Sequence, residues 1–273
     1  MKNKHRITLS SVGQIILNVH EHACGYLPSF PSTACFFFIL DLCQKGGIGV
    51  KVNLNVLYED NHIIVVQKMP NVPSQGDKTG DTDMLTIIKE YIKEKYNKPG
   101  NVYLGLIHRL DRPVGGVMVF AKTSKSAARL SEQVRNKELK KEYLVVADGK
   151  FEKTKGHLED YLLKNERNNL SKVVEVGTKN SKLAILDYEV IKYNEEINLS
   201  VLKVDLHTGR HHQIRVQLSN IGHSIYGDQK YGTRGHGKQI ALWAYKLTFN
   251  HPVTKEELTF ECLPEKNGTW KIL

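Results

Sequence analysis

Cysteine is scarce in this sequence: four occur among 273 residues, and three of them fall within the first 43. Cys24, Cys35 and Cys43 are spaced by 11 and 8 residues, which matches no compact zinc motif. The sequence leaves open whether two of these cysteines form a disulfide. Nothing else in the sequence is typical of a secreted protein, so we expect a reduced, cytoplasmic protein.

Long apolar runs are also missing. The run Ala34–Leu40 is far too short to cross a bilayer as a helix. Lys2, Lys4 and Arg6 precede a mildly apolar stretch, but polar residues interrupt it and no clear cleavage site follows. We therefore expect neither a signal peptide nor a membrane partner.

Acidic residues are outnumbered. The chain has 29 Asp and Glu against 39 Lys and Arg, a formal net charge of +10. Each basic side chain that neutralises a phosphate releases counterions, so this surplus favours a polyanionic partner. Charge alone leaves nucleic-acid binding and an ordinary basic protein about equally open.

The amino-terminal fifty residues differ from the rest, since they hold the cysteine cluster and few acids. We interpret residues 1–50 as an atypical extension, disordered or not native to the protein, and residues 51–273 as one folded domain. From about Val52 onward, regular patterns of strands and helices begin.

The β-branched run Ile63–Val66 predicts a strand over His62–Lys68. Met84, Ile88 and Ile92 recur at helical spacing after two capping candidates, Thr82 and Asp83, and Pro99-Gly100 ends that helix. Helices at Ser124–Asn136 and His212–Asn220 and strands at Val56–Tyr58, Gly105–Asp111, Gly116–Phe120, Tyr143–Ala147, His157–Lys164, Ser171–Val176, Leu183–Tyr193, Leu199–His207, Tyr245–Phe249 and Glu257–Leu263 are also predicted. The pattern favours an α+β fold with a mixed, largely antiparallel sheet.

An acidic residue lies between arginines in the sequence Arg109-Leu110-Asp111-Arg112. In most proteins such a cluster is a surface ion-pair network. Here it follows an apolar strand and precedes a tight turn at Pro113, and loops on rigid scaffolds often carry reactive side chains. Asp111 is therefore a candidate reactive carboxylate, with the ion-pair network as the alternative.

Three imidazoles occur between His207 and Arg215. His207 and His211 would suit a metal ion, but Arg210 and Arg215 repel a divalent cation, and no Asp or Glu completes a site. Arginine offers a rigid donor fork to phosphate or carboxylate. We expect this segment to bind anions.

Tyr143 lies in a third segment, Lys140–Leu144, where lysines lead into a strand. On its own, a tyrosine here is most often half-buried packing. The three segments together, in this order, are far more specific than any one of them.

From about Asn53 to about Leu263, the chain resembles the RluA-type family of RNA pseudouridine synthases. Val114-Gly115-Gly116 stands where the family often has Thr-Ser-Gly or Val-Ser-Gly, and Ser224 stands where a proline is usual. The S4-type RNA-binding domain of many relatives is not recognisable in residues 1–50. The matching stretches are Lys68–Pro70, His108–Asp111, Lys141–Leu144, Thr208–Arg215 and Gly222–Asp228.

The resemblance implies the pseudouridine synthase catalytic fold for residues 51–273, with a central cleft flanked by helices. It implies isomerisation of specific uridines in RNA to pseudouridine, without a metal, nucleotide or other cofactor. A structured loop of 23S ribosomal RNA is the first expected substrate and transfer RNA the next. We expect a cytoplasmic monomer.

The resemblance also assigns roles. Asp111 is the nucleophile, attacking C6 of the base or C1′ of the sugar, and Arg215 forms an ion pair with it. Tyr143 stacks on the target base and assists removal of the C5 proton, and Arg109 fills the gap left by the flipped base. Lys68, structural or phosphate-facing, joins His108, Arg112, Arg210, His212 and Gln213 as substrate-binding candidates.

Two rival functions remain at this stage. A non-catalytic RNA-binding protein would keep the fold but would have no need for an acid facing phosphates. A metal-dependent hydrolase would be built on the histidine segment. We rank both below the synthase.

Overall fold

The computed structural model describes residues 54–235 and 238–273, together with the backbone of two short strands, β1 (His5–Leu9) and β2 (Ile15–Ile16). The interpretation of residues 1–50 as an extension therefore falls, apart from these two strands, outside the described residues.

The domain is built from many strands and few helices. The helices are α1 (Met84–Lys95), α2 (Ser124–Arg135), α3 (Gln213–Asn220) and a final 3₁₀ turn (Gly268–Ile272). The further strands are β3 (Asn55–Glu59), β4 (Ile63–Lys68), β5 (Gly105–Leu106), β6 (Gly115–Ala121), β7 (Lys140–Asp148), β8 (Lys155–Asn165), β9 (Leu170–Val174), β10 (Lys182–Asn194), β11 (Leu199–Leu206), β12 (Leu242–Asn250) and β13 (Glu257–Glu261).

The described strands join one sheet, whose main path runs β2-β1-β13-β12-β7-β11-β10-β8-β9. A branch leaves β12 through β6, which also pairs with β4 and β5, while β3 pairs with β4. Within the described part of the chain, only the β1–β13 and β6–β12 pairs are parallel. The predicted α+β class with a mixed, largely antiparallel sheet is confirmed.

The β6–β12 junction depends on glycine. Gly115 and Gly116 pair with Trp243 and Ala244. Gly116 has φ of 130°, and a Cβ there would lie 2.1 Å from the carbonyl oxygen of Ala244, so only glycine lets the backbones approach this closely. β12 also pairs with β7. This strand therefore brings the loop before β6, which contains Asp111, beside the strand that carries Tyr143.

Helix α1 follows the sequence prediction. Asp83 caps its start, accepting hydrogen bonds from the backbone N–H of Leu85 at 2.8 Å and of Thr86 at 3.1 Å. The apolar face, including Ile88 and Ile92, is buried. The helix ends at Lys95, before Pro99.

Helix α3 is buried on nearly all sides. Its polar residues Gln213, Arg215 and Gln217 are buried along with its apolar ones. Buried polar groups require partners, so these side chains must find them inside the protein. The helix packs against β8 and β9.

No helix in the described residues is long and apolar enough to cross a bilayer.

Candidate active site

Asp111 lies in the loop between β5 and β6. Ser74 pins this loop: its hydroxyl donates to the Leu110 carbonyl at 2.8 Å and accepts the Leu110 N–H at 3.2 Å. The Val114 N–H closes a turn onto the Asp111 carbonyl at 2.9 Å. The Asp111 side chain remains 30% exposed, so its carboxylate is fixed and still reachable from solvent.

Lys68, at the end of β4, lies behind this loop. It is fully buried, and its Nζ donates to the carbonyls of Met69, Val72 and Arg112 at 3.1, 2.6 and 3.0 Å. Burial lowers the pKa of Lys68 to about 7, although the nearby Asp111 charge opposes this shift. Of its two expected roles, this geometry favours the structural one.

Arg215 of α3 reaches Asp111 from 104 positions along the chain. Its Nη1 donates to Asp111 Oδ2 at 3.1 Å, and its side chain is only 4% exposed. The ion pair expected from the family thus exists in the free protein, with Arg215 buried and Asp111 partly exposed to solvent.

Asp228 holds the other side of the Arg215 guanidinium, a contact that sequence reasoning missed. Nε and Nη2 of Arg215 each donate to an Asp228 oxygen at 2.7 Å. Burial opposes the charge of Asp228, but the hydrogen bonds and charge of Arg215 outweigh it and keep the pKa of Asp228 below its usual value. Asp228 is the last residue of the matching stretch Gly222–Asp228. Its position between Gly227 and Gly232, which is typical of a tight turn, was the one sequence signal for this residue.

His212 precedes α3 in a left-handed conformation, with φ of 54°. Its Nε2 lies 3.8 Å from Asp111 Oδ2, and its Nδ1 lies 2.8 Å from the Tyr231 hydroxyl. Burial lowers the pKa of His212 to about 3 despite the Asp111 charge. The imidazole is therefore neutral at physiological pH.

Tyr143 lies in the middle of β7, between Val204 of β11 and Ala244 of β12. It is 6% exposed. Burial, and then the Asp111 charge, raise the pKa of Tyr143 above its usual value. The phenol therefore stays protonated, and it is close enough to Asp111 for the carboxylate charge to affect its pKa.

Gln213 is engaged inside the fold. Its Oε1 accepts from the Thr208 hydroxyl at 2.7 Å and the Arg210 N–H at 3.0 Å, while its Nε2 donates to the Ile185 carbonyl at 3.1 Å. Arg210 itself is exposed and donates through Nε to the Leu183 carbonyl at 2.8 Å. Gln213 thus fixes the loop, and Arg210 is the member of this pair that faces solvent.

The arginines beside Asp111 differ from each other. Arg109 is exposed. Arg112 bonds the Thr79 hydroxyl at 3.0 Å and pairs with Asp77 at 3.7 Å and with Asp81, so in the free protein a neighbouring loop occupies it. The surface ion-pair network, which was the alternative for the Arg109–Arg112 cluster, therefore applies to Arg112.

His108 points inward. Its Nε2 accepts the Val119 N–H at 3.2 Å, and its buried Nδ1 has no hydrogen-bond partner among the described residues. Burial lowers the pKa of His108 to about 3, and the charge of Lys141 acts in the same direction.

The three imidazoles considered as metal ligands point to separate partners. His207 bonds Asp187 at 2.6 Å, His211 bonds the Ser171 hydroxyl at 2.9 Å, and His212 bonds Tyr231. The ring centroids of His211 and His212 are stacked 3.7 Å apart. Each of the three imidazoles is therefore engaged by a different side chain.

The chain is similar to known proteins in both sequence and fold. The sequence profile described as RNA pseudouridylate synthase matches residues 62–220. The chain is 32% identical to the "Uncharacterized RNA pseudouridine synthase YhcT" of Bacillus subtilis, over 76% of this chain and 68% of that one. It is 30% identical to the "Ribosomal large subunit pseudouridine synthase D" of Zymomonas mobilis, over 77% and 69% of the two chains. The solved structure of "Human RNA Pseudouridylate Synthase Domain Containing 4" has a similar fold, with a TM-score of 0.65 at 22% identity over 77% of this chain and 88% of that one.

Proposed function

This chain belongs to the RNA pseudouridylate synthase family, and on that premise we propose that Asp111 is the nucleophile with which it converts uridine to pseudouridine in a structured RNA. The relatives also confirm the resemblance to RluA-type enzymes. One observation carries the proposal: a solvent-reachable carboxylate, Asp111, is held at 3.1 Å by the buried guanidinium of Arg215.

The reaction suits a carboxylate. A nucleophile that forms a covalent intermediate divides one difficult step into two easier ones. If an Asp111 oxygen bonds C1′, the N1–C1′ bond breaks, uracil departs with the electron pair and turns, and C5 then bonds C1′ as the carboxylate leaves. If it adds to C6 instead, it holds the base covalently while the N1–C1′ bond breaks and C5 bonds C1′, and the bond between C6 and the Asp111 oxygen then breaks to release the carboxylate. Both routes end with loss of the C5 proton.

Arg215 supports either route. A guanidinium beside a carboxylate favours its ionised form, the form that can attack. Because Arg215 is also held by Asp228, it can orient Asp111 without being drawn away by the phosphates of an incoming RNA.

Tyr143 is proposed to stack on the target base. Its ring is fixed between two strands, and the raised pKa keeps it a neutral phenol in the free enzyme. Tyr143 is also proposed to assist removal of the C5 proton.

Arg109 is proposed to fill the gap left by the flipped base, since it is exposed next to the nucleophile.

Flipping costs least where bases are not fully paired, which favours a loop or bulge as target. Several relatives are named ribosomal large subunit pseudouridine synthase C or D. We therefore place 23S ribosomal RNA first and transfer RNA next, with the protein acting as a cytoplasmic monomer without a cofactor.

Release of tritium from RNA that contains 5-tritiated uridine tests the assignment. Asp111→Asn keeps the shape of the side chain but removes the nucleophile, so we expect folded protein that binds RNA and releases no tritium. Asp187→Asn is the matched control, since Asp187 is also a half-exposed carboxylate held by side chains, those of His157 and His207. Substantial turnover by Asp111→Asn would refute the proposal, and RNA binding without turnover by the unaltered protein would favour the pure binder instead.

A further inference from the structure

The short turn of residues 228–231 contacts both side chains that point a donor group towards Asp111, those of Arg215 and His212. Asp228 binds Arg215, and Tyr231 binds His212. Those two partners place Nη1 and Nε2 at 3.1 and 3.8 Å from the same oxygen, Asp111 Oδ2. We propose that Asp228 and Tyr231 are positioning residues of the synthase, which together fix the donors that orient its nucleophile. The inference rests on the proposed role of Asp111.

Asp228 determines which part of the guanidinium reaches Asp111. An arginine has donors on both edges of its planar fork. Asp228 takes the edge formed by Nε and Nη2, with both distances at 2.7 Å, and leaves Nη1 to Asp111. The Asp228 side chain is fully buried, so water cannot replace it. Without Asp228, the fork would be free to rotate about its long side chain.

The turn is itself rigid. Asp228 Oδ1 accepts the N–H groups of Lys230 at 2.8 Å and Tyr231 at 3.2 Å, and the Gly232 N–H bonds the Asp228 carbonyl at 3.0 Å. A Cβ on Gly232 would lie 2.7 Å from that carbonyl oxygen. The same carboxylate therefore ties Arg215 on one side and fixes the start of Tyr231 on the other.

Tyr231 determines which nitrogen of His212 carries the proton. The Tyr231 hydroxyl accepts the Ser171 N–H at 2.8 Å, so its own hydrogen is free to be donated to His212 Nδ1, also at 2.8 Å. A neutral imidazole that accepts at Nδ1 carries its hydrogen on Nε2. That N–H faces Asp111. Its 3.8 Å separation from Asp111 Oδ2 is longer than a hydrogen bond, but catalytic contacts often tighten only when substrate binds.

The Tyr231 ring also contacts both donor residues, Arg215 and His212. Its centroid lies 5.3 Å from Arg215 Cζ, within cation–π range, and the ring meets His212 edge-on at 5.5 Å. His212 is held in a left-handed backbone conformation that non-glycine residues seldom adopt. The contacts of Tyr231 therefore oppose the relaxation of a strained residue beside the nucleophile.

The decisive variant is Tyr231→Phe, because it keeps the ring and removes only the hydroxyl. Tyr58→Phe is the control: its hydroxyl likewise bonds a side chain, donating to the Asp60 carboxylate at 3.2 Å, but it lies on β3, away from Asp111. Two quantities are measured for each: the single-turnover rate of tritium release at saturating enzyme, and the His212 tautomer from ¹⁵N spectra of histidine-labelled protein.

For Tyr231→Phe we expect a rate loss of about 10²-fold, the scale for a misplaced catalytic group, with the RNA dissociation constant within about twofold of wild type. The His212 spectrum should change from the Nε2–H form to a mixture of tautomers. Tyr58→Phe should change neither quantity. Asp228→Asn should lose at least as much rate as Tyr231→Phe, because it loosens Arg215 directly.

Three outcomes would overturn the inference: an unchanged single-turnover rate in Tyr231→Phe, an unchanged His212 tautomer, or a loss found only in RNA affinity. If Asp228→Asn fails to fold, Tyr231→Phe still decides. A failure here is separable from a failure of the proposed function, because the latter requires that Asp111→Asn be active, and the tautomer is measured without any turnover.

Discussion

Arg215 donates from three nitrogens to two carboxylates, and a lysine at that position could not do the same. Arg215→Lys keeps the positive charge but offers a single nitrogen on a flexible stem. Asp228 is fully buried, whereas Asp111 is 30% exposed and can be solvated. We therefore expect the lysine to pair with Asp228 and to leave Asp111 without its partner.

The size of the effect follows from the hydrogen bonds that a lysine cannot form. One charge-assisted hydrogen bond, that of Nη1 to Asp111 at 3.1 Å, disappears. Such a bond is worth about 1.5–3 kcal/mol, which corresponds to a rate lower by about 10- to 150-fold if it is missing from the transition state. Asp228 also loses one of its two bonds to the side chain, which should lower the free energy of unfolding by about 1–3 kcal/mol.

The assay must separate these two effects. Single-turnover tritium release with enzyme in excess reports the chemical step, and urea unfolding reports stability. Arg129→Lys is the matched control, because Arg129 donates to the Pro252 carbonyl at 2.9 Å from helix α2. A single-turnover rate for Arg215→Lys within about twofold of wild type would refute the reasoning, as would a rate loss equal to the unfolded fraction.

Three further predictions concern stability. The pKa values of His108 and His212 are about 3 in the folded protein, below their usual value of 6.5. Below pH 6.5 the unfolded chain therefore binds more protons than the folded protein, and each histidine should lower the free energy of unfolding by up to about 1.4 kcal/mol per pH unit from 6.5 towards 3. Urea titrations should show that His108→Phe reduces this slope. Lys68→Met should cost about 2–4 kcal/mol in the same titrations at pH 6, because three carbonyls lose their donor; an unchanged midpoint would contradict the structural role. Gly115→Ala should cost about 1–3 kcal/mol by overpacking, since a Cβ there would lie 2.2 Å from the Trp243 ring, and Gly115→Ala combined with Trp243→Leu should recover part of that loss; equal costs with and without Trp243 would exclude this explanation.

The Gly115 contact also gives a physical reason for one departure from the family pattern. The family often has serine at this position, where the chain has glycine. The Trp243 ring occupies the space that the serine side chain would need, and Trp243 is itself held by a 2.7 Å bond from its Nε1 to the Cys262 carbonyl. The departure is therefore compensated by packing.

Local patterns in the sequence were enough to place most elements. The β-branched run Ile63–Val66 is the fully buried part of β4, and the spacing of Ile88 and Ile92 behind Asp83 is the buried face and cap of α1. These features depend on neighbours within a few positions. The strand predicted at Gly105–Asp111 was too long, since regular pairing stops at Leu106. Further along, the backbone of Leu110 bonds the Ser74 hydroxyl instead, 36 positions away in the sequence.

The resemblance predicted both the segment of the proposed nucleophile, Asp111, and the ion pair of this residue with Arg215. The tertiary structure gives that pair its geometry, a 3.1 Å contact between residues 104 positions apart, which no local pattern encodes. It likewise decided that Lys68 and Gln213 point into the protein, where hydrogen bonds to the backbone satisfy them. Asp228 and Tyr231 gained their proposed roles in the same way, because a positioning residue is defined by its contacts across the fold, and those contacts depend on the packing of α3 against β8 and β9.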